Sequence, residues 1–131
     1  MNEIQLEIEE LKKKIAPEYW KSIDVDEGWY QLIVDCDKEL TAIDPNYQIF
    51  QIKQKFGGLR YYFHPSQSDT SKAMSEVISK YEAIAAQTCE ATGKPGVLMK
   101  SVTGWYKTLD PGYAANTIHY ARYVRANTFT S

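Results

Sequence analysis

Between Tyr47 and Phe63 the chain alternates β-branched or aromatic residues with polar ones around the pair Gly57-Gly58, a pattern that admits little besides a β-hairpin. β-Branched and aromatic side chains suit a pleated, half-buried surface. Consecutive glycines supply the positive φ angles that a two-residue turn requires. With Gly57-Gly58 as the turn, Phe56 faces Leu59, Lys55 faces Arg60, Lys53 faces Tyr62 and Ile52 faces Phe63. Alternation then sends Phe50, Ile52, Phe56, Leu59, Tyr61 and Phe63 to one side, with Gln54 the one polar residue among them. The other side collects Gln51, Lys53, Lys55, Arg60, Tyr62 and His64, and His64-Pro65-Ser66 ends the second strand.

The hairpin needs layers to cover it, and the rest of the chain supplies helical patterns. Ile4, Ile8, Leu11 and Ile15 recur at helical spacing up to Pro17. The stripe is narrow and flanked by charge, so this helix (residues 1–16) is expected to pack loosely at the periphery, the alternative being that it pairs with another chain. Asp24-Val25-Asp26-Glu27 presents carboxylates as helix caps ahead of an apolar face of Trp29, Leu32, Ile33, Cys36, Leu40 and Ile43. A third helix is predicted over residues 70–91 from Ala73, Met74, Val77, Ile78, Tyr81, Ile84, Ala85 and Cys89, with Gly93 closing it. Val97 to Val102 and Trp105 to Leu109 flank Thr103-Gly104 as a second hairpin. Residues 111–131 form a C-terminal extension, in which 117–125 read as a short basic-aromatic helix and the last six residues as a loose end. The expected fold is therefore α+β, a small antiparallel sheet of two hairpins packed against about three helices in one domain of 131 residues.

No apolar run approaches the roughly 20 residues of a membrane span, and the acidic, amphipathic start is the wrong chemistry for a signal peptide. Cys36 and Cys89 read as small buried hydrophobes on helical faces and do not indicate a disulfide framework. The expected compartment is the cytoplasm. Charge is polarised: residues 1–44 carry twelve acidic and five basic side chains, residues 45–131 five acidic and ten basic. Such a chain can present one acidic and one basic surface.

That asymmetry bears on the first hairpin, because no acidic residue occurs between Asp44 and Asp69. Facing cations repel across a strand pair, so two readings of Lys53, Lys55, Arg60, Tyr62 and His64 stand open. One is a docking face for an acidic protein surface, a phosphate or a nucleic acid. The other is a solvated face, its charges met by the acidic half of the chain and its lysines guarding the edge against aggregation. Catalytic chemistry finds little to work with. His64 and His119 are the only histidines, and neither has a metal-ligand spacing. Gly57-Gly58 opens no helix that would make a phosphate loop. No constellation of nucleophile, base and orienting group emerges, so the chain is read as non-enzymatic and without cofactor or metal.

Four segments carry a resemblance: Gly28-Trp29-Tyr30-x-Leu32-Ile33, Gln51 to Tyr62 with its Lys-Phe-Gly-Gly-Leu-Arg centre, Cys89-Glu90-x-x-Gly93-Lys94-Pro95-Gly96, and Gly104-Trp105-x-x-Thr108-Leu109. Across roughly residues 24 to 110 the chain resembles a family of small bacteriophage and bacterial proteins of no settled biochemical function. The resemblance implies a phage or mobile-element context and nothing further about activity. The small size, the ten tyrosines and the polarised charge suit an accessory factor of that context that binds and inhibits or modulates a host protein, for example a defence nuclease. The alternative is a binder of nucleic acid or a nucleotide through Lys53, Lys55, Arg60 and Tyr62, joined by Arg122 and Arg125 of the C-terminal extension, against which the sequence pI near 5.7 stands. The resemblance also implies a zinc-ribbon-like tail, here degenerate: of its ligand positions the chain keeps Cys89, while Thr92, Asp110 and Tyr113 stand at the others. One thiolate and a carboxylate do not make a closed tetrahedral site, so a packed neighbourhood around Trp105 is expected to take the metal's place.

Overall fold

The computed structural model describes residues 1–116 and 124–125. Helix α1 (Glu3–Lys12) begins at Asn2, whose side chain accepts the Gln5 N–H while the Gln5 side chain accepts the Asn2 N–H. It ends before Pro17 because the chain turns to pair with a strand: Lys14 C=O accepts the Ile49 N–H and Ile49 C=O accepts the Ala16 N–H. Ile8, Leu11 and Ile15 are buried in the main core beside α2 (Tyr30–Ile43).

Strand β1 (Ile23–Asp24) runs parallel to β2 (Gln48–Lys55), which pairs antiparallel with β3 (Gly58–His64). The sequence expected Asp24 to Glu27 to cap α2. Asp24 instead lies in β1, Glu27–Trp29 form a 3-10 turn, and Asp26 makes no side-chain cap; its carboxylate meets Lys107 at 2.8 Å. The Asp26 N–H is satisfied from elsewhere, by Glu90 Oε2 at 2.9 Å.

The β2–β3 turn is displaced by one residue from its expected centre. Lys55 pairs with Gly58, and Phe56 (φ 54°) and Gly57 (φ 81°) occupy the turn, the two positive angles of a type I′ hairpin. Lys53 therefore opposes Arg60, not Tyr62, and Lys55 does not oppose Arg60. Each partner moves by two residues, so the pleat is preserved and Ile52, Leu59 and Tyr61 still enter the core. A shift in register between Ile49 and Gln51 turns Phe50 out of the inward-facing row in which alternation had placed it.

Helix α3 (Ser71–Ala85) follows a 3-10 turn at Ser68–Thr70 and buries Met74, Ile78, Tyr81 and Ala85. It is shorter than predicted, and Ala73 and Ile84 are exposed. Beyond it Thr88 bridges Pro95, and the Cys89 N–H donates to Lys94 C=O. Cys89 thus belongs to a tight turn, not to a helix face, and Gly93 closes that turn with its N–H on Cys89 C=O.

The second hairpin, β4 (Val97–Lys100) and β5 (Tyr106–Leu109), gains β6 (Val124–Arg125) along β4. The two hairpins lie in separate three-stranded sheets, ordered β1-β2-β3 and β5-β4-β6. The chain is α+β. Cys89, Met99, Leu109 and Ala114, the last from α4 (Pro111–Asn116), form a second small core. Trp29 joins the two cores, being fully buried with Nε1 donating to Thr88 C=O at 2.8 Å. Gly28 is equally constrained: a Cβ there would lie 2.4 Å from the carbonyl oxygens of Cys89 and Glu90. The predicted helix over 117–125 falls largely outside the described residues, except that Val124–Arg125 form a strand. The expected loose end (126–131) also lies outside them. Among the described residues no helix is long and apolar enough to cross a membrane.

Candidate functional site

The side of the first sheet turned away from α2 and α3 carries the residues singled out above. Parallel and antiparallel registers set Asp24, Lys53 and Arg60 in one row across the three strands. Asp24 is thus the one acidic neighbour of the cationic pair in the sheet, and its carboxylate accepts a hydrogen bond from Ser22. Among the described residues no carboxylate comes within ion-pair distance of Lys53, Lys55 or Arg60. Glu82 on α3 feels Arg60 at longer range: burial raises its carboxyl above the usual range, and the guanidinium draws it partly back.

At the other end of this face the outward-turned Phe50 gathers an aromatic cluster. Its ring centroid lies 4.4 Å from Tyr19, 5.8 Å from Tyr62 and 5.5 Å from His64. The Tyr19 hydroxyl approaches His64 Nε2 at 3.4 Å. Trp20, next in the chain to Tyr19, is 88% exposed. The sheet beneath is anchored by a buried chain of polar groups in which the Tyr47 hydroxyl donates to Asp37 Oδ1 and meets the Tyr61 hydroxyl, both at 2.6 Å. Burial raises the pKa of both phenols, which keeps them as neutral hydrogen-bonding struts.

Lys55 leads from the sheet to the hairpin tip, where a cavity of about 490 Å³ opens between the two hairpins, lined by Gln54, Lys55, Phe56, Gly104, Trp105 and Tyr106. Both large rings at its mouth face solvent, Phe56 at 69% and Trp105 at 71%. This overturns the expectation that each packs inside. Phe56 sits in the turn, and Trp105 follows Gly104 (φ 95°) in the β4–β5 loop, away from the second core. The four positions expected of a degenerate ribbon are engaged otherwise. Cys89 packs in the second core, Tyr113 lies against it, Thr92 Oγ1 accepts the Lys94 N–H, and Asp110 Oδ1 accepts the Gly112 N–H. These residues do not suit a zinc ion, and among the described residues no group of three or more His, Cys, Asp or Glu side chains is gathered to hold a metal.

The sheet thus brings together Lys53, Arg60, Tyr62 and His64 and continues through Lys55 to the tip. Tyr19, Trp20, Phe56 and Trp105 join the candidate face although the sequence did not single them out for it; their signal was only the general excess of aromatics, ten Tyr, three Trp and four Phe. His119 and Arg122 lie outside the described residues. Comparison of the chain with protein-family models, with curated proteins and with solved structures finds no match.

Proposed function

We propose that the chain is a non-enzymatic binding protein whose cationic-aromatic sheet face docks on an acidic surface of a partner protein. The resemblance to small bacteriophage proteins makes a host protein, inhibited or redirected by this contact, the expected class of partner. The observation that carries the reading is the opposition of Lys53 and Arg60 on the outer side of the sheet, with no carboxylate at ion-pair distance among the described residues. Like charges facing one another across a strand pair cost stability. An acidic partner surface would convert that cost into charge-assisted contacts. The exposed aromatic rings beside the cations have the residue types that dominate protein interfaces.

A nucleic acid is the second reading, favoured by the exposed rings of Trp20 and Tyr62 as stacking surfaces, Tyr62 lying diagonal to Lys53 across the strand pair. The net charge of −2 opposes it, since a polyanion meets a repulsive field at long range.

The test is affinity capture from a bacterial host lysate with the wild-type chain and the Lys53→Glu/Arg60→Glu variant, in a salt series, with the eluate assayed for nucleic acid. A protein held by the wild type, released by salt and lost with the variant supports the proposal. Equal retention by both chains moves the docking surface to the acidic residues 1–44. Nuclease-sensitive material in place of a protein supports the second reading.

A further inference from the structure

The cavity at the hairpin tips is assembled with more constraint than a chance gap between loops would have. Phe56 holds φ 54°, a region that a bulky side chain rarely adopts, while its ring stays out in solvent. Gly57 beside it is crowded, since a Cβ would lie 2.5 Å from Leu98 Cδ1 and 3.3 Å from the Lys107 nitrogen, so a side chain there would displace Leu98. Its carbonyl accepts the buried Thr108 hydroxyl at 2.8 Å. On the opposite wall Ser101 fixes the loop that carries Trp105: its N–H donates to Trp105 C=O at 2.8 Å, and its hydroxyl accepts the Trp105 N–H at 3.0 Å. Two exposed aromatic rings are thus held by two braced turns with an open space of about 490 Å³ between them. A preformed cleft of this kind loses little conformational freedom on binding.

Among the described residues the lining contains no carboxylate. Lys55 stands at the lip with Nζ 5.7 Å from the Phe56 ring centroid, and Lys100 Nζ lies 5.4 Å from that of Tyr106. Lys53 and Lys55 share the outer face of β2, so their side chains project about 7 Å apart, the repeat of two residues in a strand. An extended segment with carboxylates at alternate positions has the same repeat. Thr103 and Gln54 add polar groups to the lining, while Leu98, against Gly57, is 40% exposed and Val102, in the loop that carries Trp105, is 70% exposed; both are aliphatic and do not stack on bases.

We infer that the cavity seats one large apolar side chain of the partner protein, carried on an extended acidic segment whose alternate carboxylates run back along Lys55 and Lys53. This rests on the reading of the chain as a protein-binding factor and names what that partner presents. The apolar side chain enters between Phe56 and Trp105 as the anchor of the contact, and the charged pairs at the lip exclude water from it.

The experiment is an amide and indole NMR titration with a capped nonapeptide of glutamates at alternate positions, glycine spacers and one terminal phenylalanine. Controls are the same peptide ending in alanine, its lysine-for-glutamate counterpart, and a ten-nucleotide thymidine strand. Saturable shifts are expected at the Trp105 indole N–H and the Gly57 and Gly104 amides. Affinity should fall at least tenfold with the alanine peptide, and equally with Phe56→Gly or Trp105→Ala. Both variants should fold, since glycine accepts a positive φ and Trp105 is exposed; melting curves verify this. Absent shifts at the cavity, equal binding of the alanine peptide, or cavity shifts with the thymidine strand alone overturn the inference. If the cavity stays silent while Lys53→Glu/Arg60→Glu still abolishes capture, only the cavity assignment falls. Peptide binding at the cavity together with unaltered capture removes the sheet face and leaves the cavity.

Discussion

The Thr108 hydroxyl donates to the Gly57 carbonyl at 2.8 Å, joining β5 of one sheet to the β2–β3 turn of the other across 51 residues of sequence. Both groups are buried, so the carbonyl has no recourse to water when the donor is lost. Thr108→Val should therefore cost about 1–3 kcal/mol, the penalty of a buried acceptor left without a partner. Gly57→Ala should cost at least as much, because strain at φ 81° adds to the clash with Leu98. Urea midpoints at fixed m-value check both. Thr108→Ser, which keeps the hydroxyl, should recover most of the loss.

The same contact explains why the hairpin was legible in the sequence while its turn was not. Alternation from Tyr47 to Phe63 identifies two strands and their faces locally, and Ile52, Leu59 and Tyr61 lie inside as their spacing implies. The choice between Phe56-Gly57 and Gly57-Gly58 as the turn depends on Leu98 and Lys107, 41 and 50 residues downstream, which crowd any side chain at position 57. Phe50 was misplaced for a similar reason, since a bulge leaves no mark in a pattern of period two. Trp105 followed the usual preference of a large ring for the interior, which a local pattern cannot correct. The cationic residues of the face were readable because Lys and Arg on the polar side of a strand need no tertiary information. The Asp24 neighbour was not, because a two-residue strand is too short to announce itself.

The main core supplies a direct check on α3. Ile78 is 7% exposed and sits in the cluster with Met74 and Tyr81. Ile78→Ala should cost about 2–5 kcal/mol through lost burial and the cavity left behind. Ile84→Ala on the same helix, at 40% exposure, should cost well under half of that. Equal midpoints for the two variants would mean that the helix presents a different face.

Two buried carboxylates should impose opposite pH dependences. Burial raises the Glu90 carboxyl above its ordinary value, partly offset by the Asp26 amide and by Lys107. The native state therefore holds this proton more tightly than the unfolded chain. Stability from Glu90 is full below the ordinary carboxylate range and is lost as pH rises through the raised native value. Asp44 is held below its ordinary value, chiefly by the Ser66 hydroxyl at 2.6 Å and the Ser66 amide at 2.7 Å. Its contribution is present above the ordinary value and is lost as pH falls through the depressed one. Glu90→Gln should flatten the first change while retaining an acceptor for the Asp26 N–H, and Asp44→Asn should remove the second. Urea unfolding at a series of pH values separates them.

Chelation should leave the melting temperature unchanged. Cys89 packs against Met99 and Leu109, and the oxygens of Thr92 and Asp110 already accept backbone amides in their own turns. Those bonds brace the two turns without a metal. Metal analysis of the purified chain and melts with and without a chelator check this. Stoichiometric zinc with a large drop in melting temperature would overturn it.

The last prediction concerns the energy held in the outer face. Lys53 and Arg60 are half-buried neighbours across an antiparallel pair, so their interaction in the unbound chain should be repulsive, by about 0.2–1 kcal/mol. A double-mutant cycle with Lys53→Gln and Arg60→Gln isolates that quantity from what each side chain does alone, including the attraction of Lys53 to Asp24 and of Arg60 to Glu82. The coupling should shrink as salt rises, because screening acts over roughly 8 Å at physiological ionic strength and over about 3 Å at 1 M. It should change sign when an acidic partner is bound, because both cations then serve the same carboxylates and removing one weakens the hold of the other. A coupling of zero in the unbound chain would mean that the two side chains diverge into solvent. In that case the sheet face loses the built-in repulsion on which its proposed docking role depends.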